Sequence, residues 1–532
     1  MIEVTQQARD AAFAFLQTAV VIDDEAFMSA GAPSGAVEAL PPSESAEAGE
    51  AGDLEQLQAP GDELEPGGAL DAEKLIEGFA ALGLVCAVLR PAAGVDDVPL
   101  AEKAFKRADI LILDWEIFRD DGVRALKLIR QVSRNRRGLG LIAIYTKHRN
   151  LDRIAADVVQ ALTEEVGAAE RVDEYVIEAG VLTVALLSKA HEMPNPPVNP
   201  VPESELPNRI VELFAARVTG LLELAALRAM GAVRADTHLL LRVFGPGVDA
   251  GYVANRMLLP RPDDAVDGAR ALLGNELSSM LDNVGLDDYL GLEAVSSWVE
   301  QKGVRPEAFR QTFRDPHPED MFGAVTAVLA DGERSDRAKE AQVKLSKSHP
   351  ERHAVEMFTV DDADAEASNL RFAALMTTKT RYGHGAPALT LGTVVRAEDD
   401  RYWLCLQPAC DSVRLDGLVP FPFAPLRTVD GIGECDLVVP FGEIARRFRL
   451  PNRIRDIRLF GFTAGETGRV LGVSPSADDT RWFFSGPDGQ FEFLAELRDP
   501  AAQRVVQDLA GRMSRVGLDE PEWVRRSHAA QT

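Results

Sequence analysis

The hydrophobic pattern of the first 190 residues alternates between short apolar runs and segments with helical spacing. Four runs are continuous enough to be strands buried on both faces of a sheet. They are Ala19–Ile22, Ile110–Leu113, Leu139–Tyr145 and Val181–Leu187, and a fifth strand is predicted over residues 84–89. Helices are predicted over residues 5–17, 71–82, 100–107, 121–136 and 150–162. Because strands that alternate with helices form βαβ units, the pattern predicts an α/β domain with a parallel sheet.

Polar side chains directly follow the four buried runs. In chain order they are Asp23 and Asp24, then Asp114, then Thr146, then Ser188 with Lys189. Because ligands bind at the carboxyl ends of parallel strands, we expect these acids, the hydroxyl and the ammonium to converge. Clustered carboxylates repel one another and favour a hard divalent cation such as Mg²⁺. A carboxylate can also attack a phosphoryl group where a metal and a lysine neutralise the developing charge.

This order of residues resembles the receiver domain of two-component response regulators, in which an acid pair and a magnesium ion surround a phosphoacceptor aspartate. The resemblance implies a flavodoxin-like, doubly wound parallel sheet. It places the phosphoacceptor at Asp114 and the contacts to its phosphoryl group at Thr146 and Lys189. The Mg²⁺ site that it implies consists of Asp23, Asp24, Asp114 and the backbone carbonyl of Glu116.

The chain departs from the receiver pattern at three points. Ala190 stands where a proline usually follows the lysine, and Leu186 occupies the usual aromatic switch position three residues before Lys189. The spacings between the motifs are also long. These departures keep a second interpretation open, in which the protein is a phosphorylation-independent scaffold with a degenerate receiver.

The composition changes along the chain and predicts three domains. Residues 31–70 contain nine acids and no lysine or arginine, so the receiver-like domain over 1–200 should carry an acidic flexible insertion at about 30–70. Residues 201–380 show helical spacing and predict an all-α region. Residues 381–532 contain short strand-like runs and a hairpin around Ser485–Gly489. They predict a mainly antiparallel β domain, closed by an amphipathic helix that begins at Asp499.

The later domains widen the resemblance. Long response-receiver proteins of bacterial conflict systems have segments similar to ELPNRIVELFAARVTGLLELAALRAMGAVRADTHLLL, LCLQPACDSVRL and AQRVVQDLAGRMSRVGLDEPEWVRR. This group includes the Detocs type of anti-phage two-component system. The resemblance implies a cognate histidine kinase, a phosphoryl relay and a separate effector protein, and it assigns no catalytic role to the later domains.

The charge and the cysteine content restrict the class of partners. The chain has 57 lysines and arginines against 84 acids, a net charge of −27, which makes overall binding to nucleic acid unfavourable. Its four cysteines lack the density of a disulfide framework and the CxxC spacing of a metal site, as expected in a reducing cytoplasm. Since no run approaches the roughly 18 apolar residues of a membrane span, we expect a soluble cytoplasmic protein with no membrane partner.

Two other segments could carry chemistry. Cys405, Cys410 and Asp411 could suggest a thiol nucleophile or a metal site, but neither a base nor further ligands have a fixed spacing to them, so a structural strand and turn is favoured. Residues 446–458 contain six arginines and one acid. This basic segment could contact DNA, the acidic insertion or the kinase, and no recognition helix accompanies it.

The sequence therefore predicts a phosphoacceptor in a relay from a histidine kinase to an aspartate, with chemistry at Asp114 only. No GxxxxGK[ST], HExxH or GxSxG motif indicates a separate enzymatic activity. In a defence system the protein would act as a phosphoryl acceptor or sink that restrains an effector. The alternatives are the phosphorylation-independent scaffold and a DNA-binding transcriptional regulator.

Overall fold

The computed structural model describes residues 5–28, 70–91, 98–135, 139–190, 198–262, 264–314, 320–340, 344–346, 350–382, 385–430, 435–442, 444–451, 454–476, 479 and 481–513. The chain divides into two compact units, Met1–Val295 and Ser296–Thr532. The predicted acidic insertion at about 30–70 lies outside the described residues, with the exception of Leu70.

The first unit begins with strands and helices that alternate, as the sequence predicts. Its strands are Thr18–Ile22 (β1), Val85–Leu89 (β2), Ile110–Leu113 (β3), Gly140–Thr146 (β4), Glu170–Asp173 (β5), Val176–Ala179 (β6), Leu182–Lys189 (β7) and Pro200–Val201 (β8). Its helices are Gln6–Phe15 (α1), Ala72–Ala81 (α2), Val98–Phe105 (α3), Val123–Asn135 (α4), Leu151–Val166 (α5), Leu206–Arg217 (α6), Leu221–Ala235 (α7), Thr237–Val243 (α8), Asp249–Leu258 (α9), Asp264–Leu281 (α10) and Asp287–Leu290 (α11). The helix Leu292–Lys302 (α12) spans the division between the units in sequence.

The strands of this unit form one mixed sheet in the order β2-β1-β3-β4-β7-β6-β5. The five strands from β2 to β7 are parallel, and β8 adds a short parallel pairing to β7. The predicted parallel sheet is therefore present, and it is extended at one edge by β5 and β6, which form an antiparallel hairpin against β7. A tight turn can join antiparallel strands, which explains why no helix lies between these three strands.

Helices cover both faces of the sheet, so the central strands are buried on both sides. Side chains alternate between the faces: Ala143 and Tyr145 of β4 pack with α1, α2, α6 and α7, whereas Ile142 and Ile144 pack with α3, α4 and α5. The predicted domain boundary near residue 200 therefore falls inside the first unit. The helices α6 and α7, expected in a separate helical domain, complete the core of the α/β sheet.

Polar caps fix the ends of two helices around the sheet. The Asp71 carboxylate accepts a hydrogen bond from the N–H of Lys74 at the start of α2, at 3.3 Å. The Asn150 side chain caps α5 in the same way through the N–H of Arg153, at 3.0 Å. Gly167 ends α5 in the left-handed region, at φ = 83°, where glycine carries no Cβ penalty.

The second unit combines short helices with an antiparallel sheet. Its further helices are Pro306–Thr312 (α13), Met321–Asp331 (α14), Asp336–Glu340 (α15), Pro350–Glu356 (α16), Asp362–Thr377 (α17) and Asp499–Met513 (α18). Its strands are Phe313–Arg314 (β9), Lys344–Leu345 (β10), Thr393–Ala397 (β11), Tyr402–Cys405 (β12), Leu418–Val429 (β13), Leu437–Phe441 (β14), Ile444–Arg449 (β15), Arg458–Thr463 (β16), Phe483–Gly486 (β17) and Gly489–Glu496 (β18). The large sheet runs in the order β14-β15-β13-β12-β11-β18-β17, with β16 paired to β13, and the predicted hairpin is β17–β18.

The longest strand of this sheet, β13, has no counterpart in the sequence prediction. It contains three prolines, Pro420, Pro422 and Pro425, and proline normally argues against a strand that is paired on both sides. The proline carbonyl groups can still accept hydrogen bonds, and the N–H of Leu406 donates to the Pro422 oxygen at 2.8 Å. The arginine-rich segment also contributes a strand, because residues 444–449 form β15.

Among the described residues, no helix is both long enough and apolar enough to cross a membrane.

Candidate functional site

The four strand ends that the sequence singles out are neighbours in the sheet. The order β1-β3-β4-β7 brings their carboxyl ends to one edge, and the register pairs Ile22 with Leu113 immediately before Asp23 and Asp114. The predicted convergence is therefore what the sheet produces. Five of the converging side chains are buried, namely Asp23, Asp114, Thr146, Ser188 and Lys189.

Lys189 joins the two strand-end aspartates. Its Nζ atom lies 2.6 Å from Asp23 Oδ2 and 2.6 Å from Asp114 Oδ2, with the lysine side chain only 3% exposed. Both contacts are short, charge-assisted hydrogen bonds. The ammonium at the end of β7 thus holds the carboxylates at the ends of β1 and β3 in one buried cluster.

The other oxygen of each aspartate faces its own backbone. Asp23 Oδ1 accepts from the N–H of Glu25 at 2.8 Å, and Asp114 Oδ1 accepts from the N–H of Glu116 at 3.1 Å. Each bond closes a short turn, in which the aspartate side chain accepts from the backbone N–H two residues further along the chain. They set the start of each loop, so both carboxylates are positioned by the loop that follows their strand.

The charged groups of the cluster shift one another's pKa values. Burial raises the pKa of Asp23, and the nearby Asp114 carboxylate raises it further, against the opposing effect of Lys189. Burial alone would lower the pKa of Lys189, but the Asp114 and Asp23 carboxylates outweigh burial and raise it. The lysine is therefore held as an ammonium by two acids that it only partly neutralises.

Asp24 provides a third carboxylate with an unused oxygen. Its Oδ2 accepts from the N–H of Phe118 at 2.9 Å, and its backbone carbonyl accepts from Arg90 Nε at 2.9 Å. Its Oδ1 is buried and has no hydrogen-bond partner within the described part of the chain. The site therefore combines three carboxylates with one ammonium, and one buried carboxylate oxygen is left without a hydrogen bond within the described residues. These carboxylate oxygens suit a hard cation such as Mg²⁺.

The loop after β3 has an unusual backbone. Phe118, Arg119 and Asp121 have positive φ values between 53° and 55°, which are uncommon outside glycine. Gly122, at φ = 83°, lies against the buried Trp115 ring, and a Cβ at Gly122 would come within 2.1 Å of that ring. The loop that carries the Asp114 site is thus folded tightly over a tryptophan.

Thr146 lies at the end of β4, next to β3. Its side chain is fully buried, and its Oγ1 accepts from the N–H of His148 at 3.2 Å. The following residue, Lys147, forms an ion pair with Glu25 across the strand ends, with 2.6 Å between Nζ and Oε2. The pair spans the loops after β1 and β4 at the rim of the site.

A second polar group at the rim was not predicted from the sequence. The side chains of Glu116, Asp121 and His148 offer ligand atoms within 4.8 Å of one another. Arg153 already pairs with Asp121 at 2.5 Å, so this group has a cation of its own. From the sequence, only the backbone carbonyl of Glu116 was predicted to belong to the metal site. The position of a strand end in the sequence does not show which side chains of different loops come together.

Tyr145 and β8 form another unpredicted feature. The Tyr145 ring lies beneath the site, with its centroid 5.9 Å from Lys189 Nζ, and its hydroxyl donates to the carbonyl of Val201 at 2.8 Å. Burial raises the pKa of this phenol, which keeps it a proton donor. The β8 backbone pairs Val201 with Lys189, so the chain that leads into α6 is fixed beside the lysine.

The other candidate residues lie in the second unit. Cys405 is buried in β12, and burial raises the pKa of its thiol to about 12, which does not suit a nucleophile. Cys410 is exposed and contacts Asp411 at 3.4 Å. In the basic segment, Arg447 is buried and pairs with Glu366, while Arg446 donates to the Tyr402 hydroxyl at 2.6 Å.

Comparison with known proteins gives one result for the first unit. Residues 15–193 match the family model of the response receiver domain. Comparison with curated proteins and with solved structures found no significant match. The matched range contains all five parallel strands and every residue of the predicted site, and it supports a response-regulator receiver of the two-component class in this part of the chain.

Proposed function

We propose that the protein is a Mg²⁺-dependent phosphoacceptor that takes a phosphoryl group from a histidine kinase onto Asp114. The observation that carries this proposal is the position of Lys189 Nζ, 2.6 Å from both Asp23 and Asp114 at the converging strand ends. A buried lysine between two acids is suited to contact an acyl phosphate on one of them. The receiver match over residues 15–193 supports the same assignment.

The chemistry requires a carboxylate nucleophile and charge neutralisation. An Asp114 oxygen forms the new P–O bond while the P–N bond of a phosphohistidine breaks. Because the second ring nitrogen of the phosphohistidine carries a proton, the leaving group is neutral imidazole. Lys189 contacts the transferred group, and the Thr146 hydroxyl at the next strand end donates to it. Asp23 and Asp24 would hold Mg²⁺, with Asp114 and the Glu116 carbonyl, and the bound ion would supply further positive charge at the phosphoryl oxygens.

The setting that we propose is a bacterial anti-phage relay of the Detocs type. The support is the likeness of the later segments to long response-receiver proteins of conflict systems, together with the absence of an enzyme motif from the sequence. In that setting the cytoplasmic protein acts as a phosphoryl acceptor or sink, its chemistry is limited to Asp114, and a separate effector carries the toxic activity. The second unit would then bind partners.

The test is phosphoryl transfer to the full chain from a phosphorylated histidine kinase and from a small acyl phosphate donor. We expect a Mg²⁺-dependent mass increase of one phosphoryl group, labile to hydroxylamine. Asp114→Asn should abolish it, whereas Asp152→Asn, at an exposed aspartate of the same unit, should leave it unchanged. Labelling that persists in Asp114→Asn would show that the acceptor lies elsewhere.

Two observations favour the scaffold as the second candidate. The departures at Ala190 and Leu186 remove two receiver features, and β8 occupies the edge of β7 beside Lys189. A wild-type chain that neither takes a phosphoryl group nor binds beryllofluoride would establish the scaffold. The DNA-binding alternative has less support, because Arg446 and Arg447 of the basic segment are engaged by groups within the second unit.

A further inference from the structure

The second unit contains a cavity of about 390 Å³ that shares no residue with the site around Asp114. Its walls are helix α17, the segment that follows this helix, the β14–β15 hairpin and strand β18. The side chains that line it include Arg371, Leu375, Lys379, Arg381, Ile444 and Leu494. Small-molecule sites usually have volumes of roughly 300–1,000 Å³, so this cavity is large enough for a small organic ligand.

Hydrogen bonds fix the walls of the cavity to one another. The Thr377 hydroxyl at the end of α17 donates to the Val438 carbonyl of β14 at 2.8 Å. The N–H of Lys379 donates to the Glu496 carbonyl of β18, also at 2.8 Å. The cavity is therefore bounded by elements that the fold already holds together, as is usual for a binding site that exists before its ligand arrives.

The apolar part of the lining is aliphatic. Leu375 of α17, Ile444 of β15 and Leu494 of β18 contribute to it, and among the described residues that line the cavity none is aromatic. Leu375 is 48% exposed and Ile444 is 62% exposed, so a ligand could remove further apolar surface from water. Aromatic ligands are commonly held by stacking on aromatic rings, whereas a hydrocarbon chain needs only apolar surface. The lining therefore favours a ligand with an aliphatic body.

The charged side chains of the lining are all cations, namely Arg371, Lys379 and Arg381. Lys379 is already paired with Glu496 and Asp499, at 2.8 Å from each. Within the described part of the chain, neither arginine forms an ion pair. The chain has 84 acids and only 57 lysines and arginines, so two arginines at one cavity without a carboxylate partner are unexpected. They leave a positive charge that an anionic ligand can match.

Neutral groups hold Arg381 in place. Its guanidinium lies 4.9 Å from the centroid of the Phe493 ring and 5.8 Å from that of Trp482, and it donates to the Gly385 carbonyl. Burial lowers the pKa of this guanidinium, and a bound anion would oppose that effect. The aromatic contacts position the cation without neutralising it.

We infer that the cavity binds a small aliphatic anion. The carboxylate or phosphate group of the ligand pairs with Arg371 and Arg381, because the planar guanidinium group matches the geometry of both kinds of anion. The hydrocarbon chain of the ligand covers the exposed parts of Leu375 and Ile444. This binding does not depend on phosphoryl transfer to the first unit.

Calorimetric titration of the full chain with octanoate, below its micellar concentration, tests the inference. We expect saturable binding at one site. Acetate has the charge without the chain and 1-octanol has the chain without the charge, so each should bind at least about tenfold more weakly. A parallel titration with octyl phosphate compares the two head groups, and the tighter ligand identifies the one that the cavity prefers.

Substitutions locate the bound octanoate. Arg371→Met and Ile444→Glu should each weaken binding at least about tenfold, since the first removes a cation and the second places a carboxylate in the apolar wall. Both residues are exposed, so the fold should tolerate the changes, and melting temperatures without ligand check this. The matched controls are Arg334→Met, at a 96% exposed side chain, and Val360→Glu, at an 80% exposed valine. Neither control residue lines the cavity, and both variants should bind octanoate as the wild type does.

Three results would overturn the inference. The first is a wild-type chain that binds neither octanoate nor octyl phosphate. The second is equal affinity for octanoate and 1-octanol, which would show that the arginines do not contribute to binding. The third is octanoate binding that survives both Arg371→Met and Ile444→Glu, which would place the ligand on another surface of the protein.

Discussion

Among the described residues of the site, Lys189 is the one whose positive charge balances two buried carboxylates. It lies between two buried carboxylates, and a third acid, Asp24, lies in the next position after Asp23. Removal of one partner from a buried ion pair leaves an uncompensated charge, which costs far more than the loss of an exposed pair. The lysine therefore stabilises the fold before any phosphoryl group arrives.

Replacement of this lysine gives a quantitative prediction. Lys189→Met should lower the free energy of unfolding by about 3 kcal/mol without metal, because the Asp23 and Asp114 carboxylates then repel each other in a buried site. Saturating Mg²⁺ should recover part of the loss, since a bound cation stabilises the folded state. The measurement is urea unfolding of the first unit, with and without Mg²⁺.

Lys147→Met is the matched control for that experiment. Lys147 pairs with a single acid, Glu25, and both side chains are considerably more exposed than the Lys189 cluster. Its loss should cost less than about 1 kcal/mol, as is usual for exposed pairs. Equal losses for the two lysines would show that Lys189 is not the balancing charge of a buried cluster.

Gly122 allows a second prediction at the residue scale. Gly122→Ala should cost at least about 3 kcal/mol, because its Cβ would overlap the buried Trp115 ring in addition to the strain of φ = 83°. Gly167→Ala has the same φ of 83° with nothing within 4 Å of a Cβ, so it should cost only about 1 kcal/mol. Thermal unfolding of the two variants compares them directly, and similar losses would mean that the loop moves away from Trp115 without cost.

The residues of the site could be predicted from the sequence only in part. Acids and a lysine that end buried strands are visible as a break in an apolar run, so Asp114 and Lys189 could be placed at one edge. Contacts made by loop side chains carry no such signal. The pair Lys147–Glu25 joins residues 122 positions apart, and the spacing in the sequence gives no reason to connect them.

At the scale of elements, β8 links the site to the helices that follow. Its residue Val201 pairs with Lys189, accepts from Tyr145 and precedes α6 by only four residues. The side chain of Asn199 adds a bond to the Leu186 carbonyl at 2.9 Å. A change of position at Lys189 would therefore act directly on the segment that enters α6.

The hydrogen bond from the Tyr145 hydroxyl to the Val201 carbonyl can be removed by a single substitution. Tyr145→Phe leaves the Val201 carbonyl without this donor and should destabilise the first unit by about 1 kcal/mol. It should also increase amide hydrogen exchange over residues 198–206 more than elsewhere, because the bond holds β8 against the sheet. The control is Tyr175→Phe, whose hydroxyl contacts an exposed glutamate. Unchanged exchange in Tyr145→Phe would show that β8 is held by its backbone pairing alone.

Strands could be predicted where a continuous apolar run in the sequence marked them. Continuous apolar runs identified β1, β3, β4 and β7, since strands buried on both faces have no polar alternation. The hairpin β5–β6 escaped prediction because all four residues of β5, ERVD, are exposed and three of them are charged. The strand β13 escaped because its three prolines indicate a loop, whereas pairing in the tertiary structure overrides that preference.

At the scale of the molecule, the first unit owes its integrity to helices far along the chain. Arg234 of α7 donates to both oxygens of Asp109 at 2.9 and 3.1 Å and to the Phe15 carbonyl at 2.8 Å. Asp109 in turn accepts from the N–H of Gln17 at 2.9 Å, before β1. A Cβ at Gly231 would come within 2.5 Å of the Ala14 carbonyl, so α7 lies directly on α1. The starts of β1 and β3 are therefore tied to a helix beyond residue 220.

These contacts predict where the chain can be divided. A fragment of residues 1–200 lacks α6 and α7 and would expose apolar side chains such as Leu75, Phe79 and Tyr145, which pack in the same core as those helices. Exposed apolar surface of this extent favours a molten or aggregated state. A fragment of residues 1–295 retains the core and should unfold in one cooperative transition.

Calorimetry and beryllofluoride binding compare the two fragments with the full chain. We expect the 1–295 fragment to bind beryllofluoride with the affinity of the full chain and the 1–200 fragment to bind a hydrophobic dye instead. Arg234→Ala in the 1–295 fragment should lower its melting temperature by several degrees, because Asp109 loses a paired charge. Cooperative unfolding of the 1–200 fragment, with intact beryllofluoride binding, would show that the receiver fold is complete without α6 and α7. In that case the packing of these helices on the sheet would serve the second half of the first unit rather than the site.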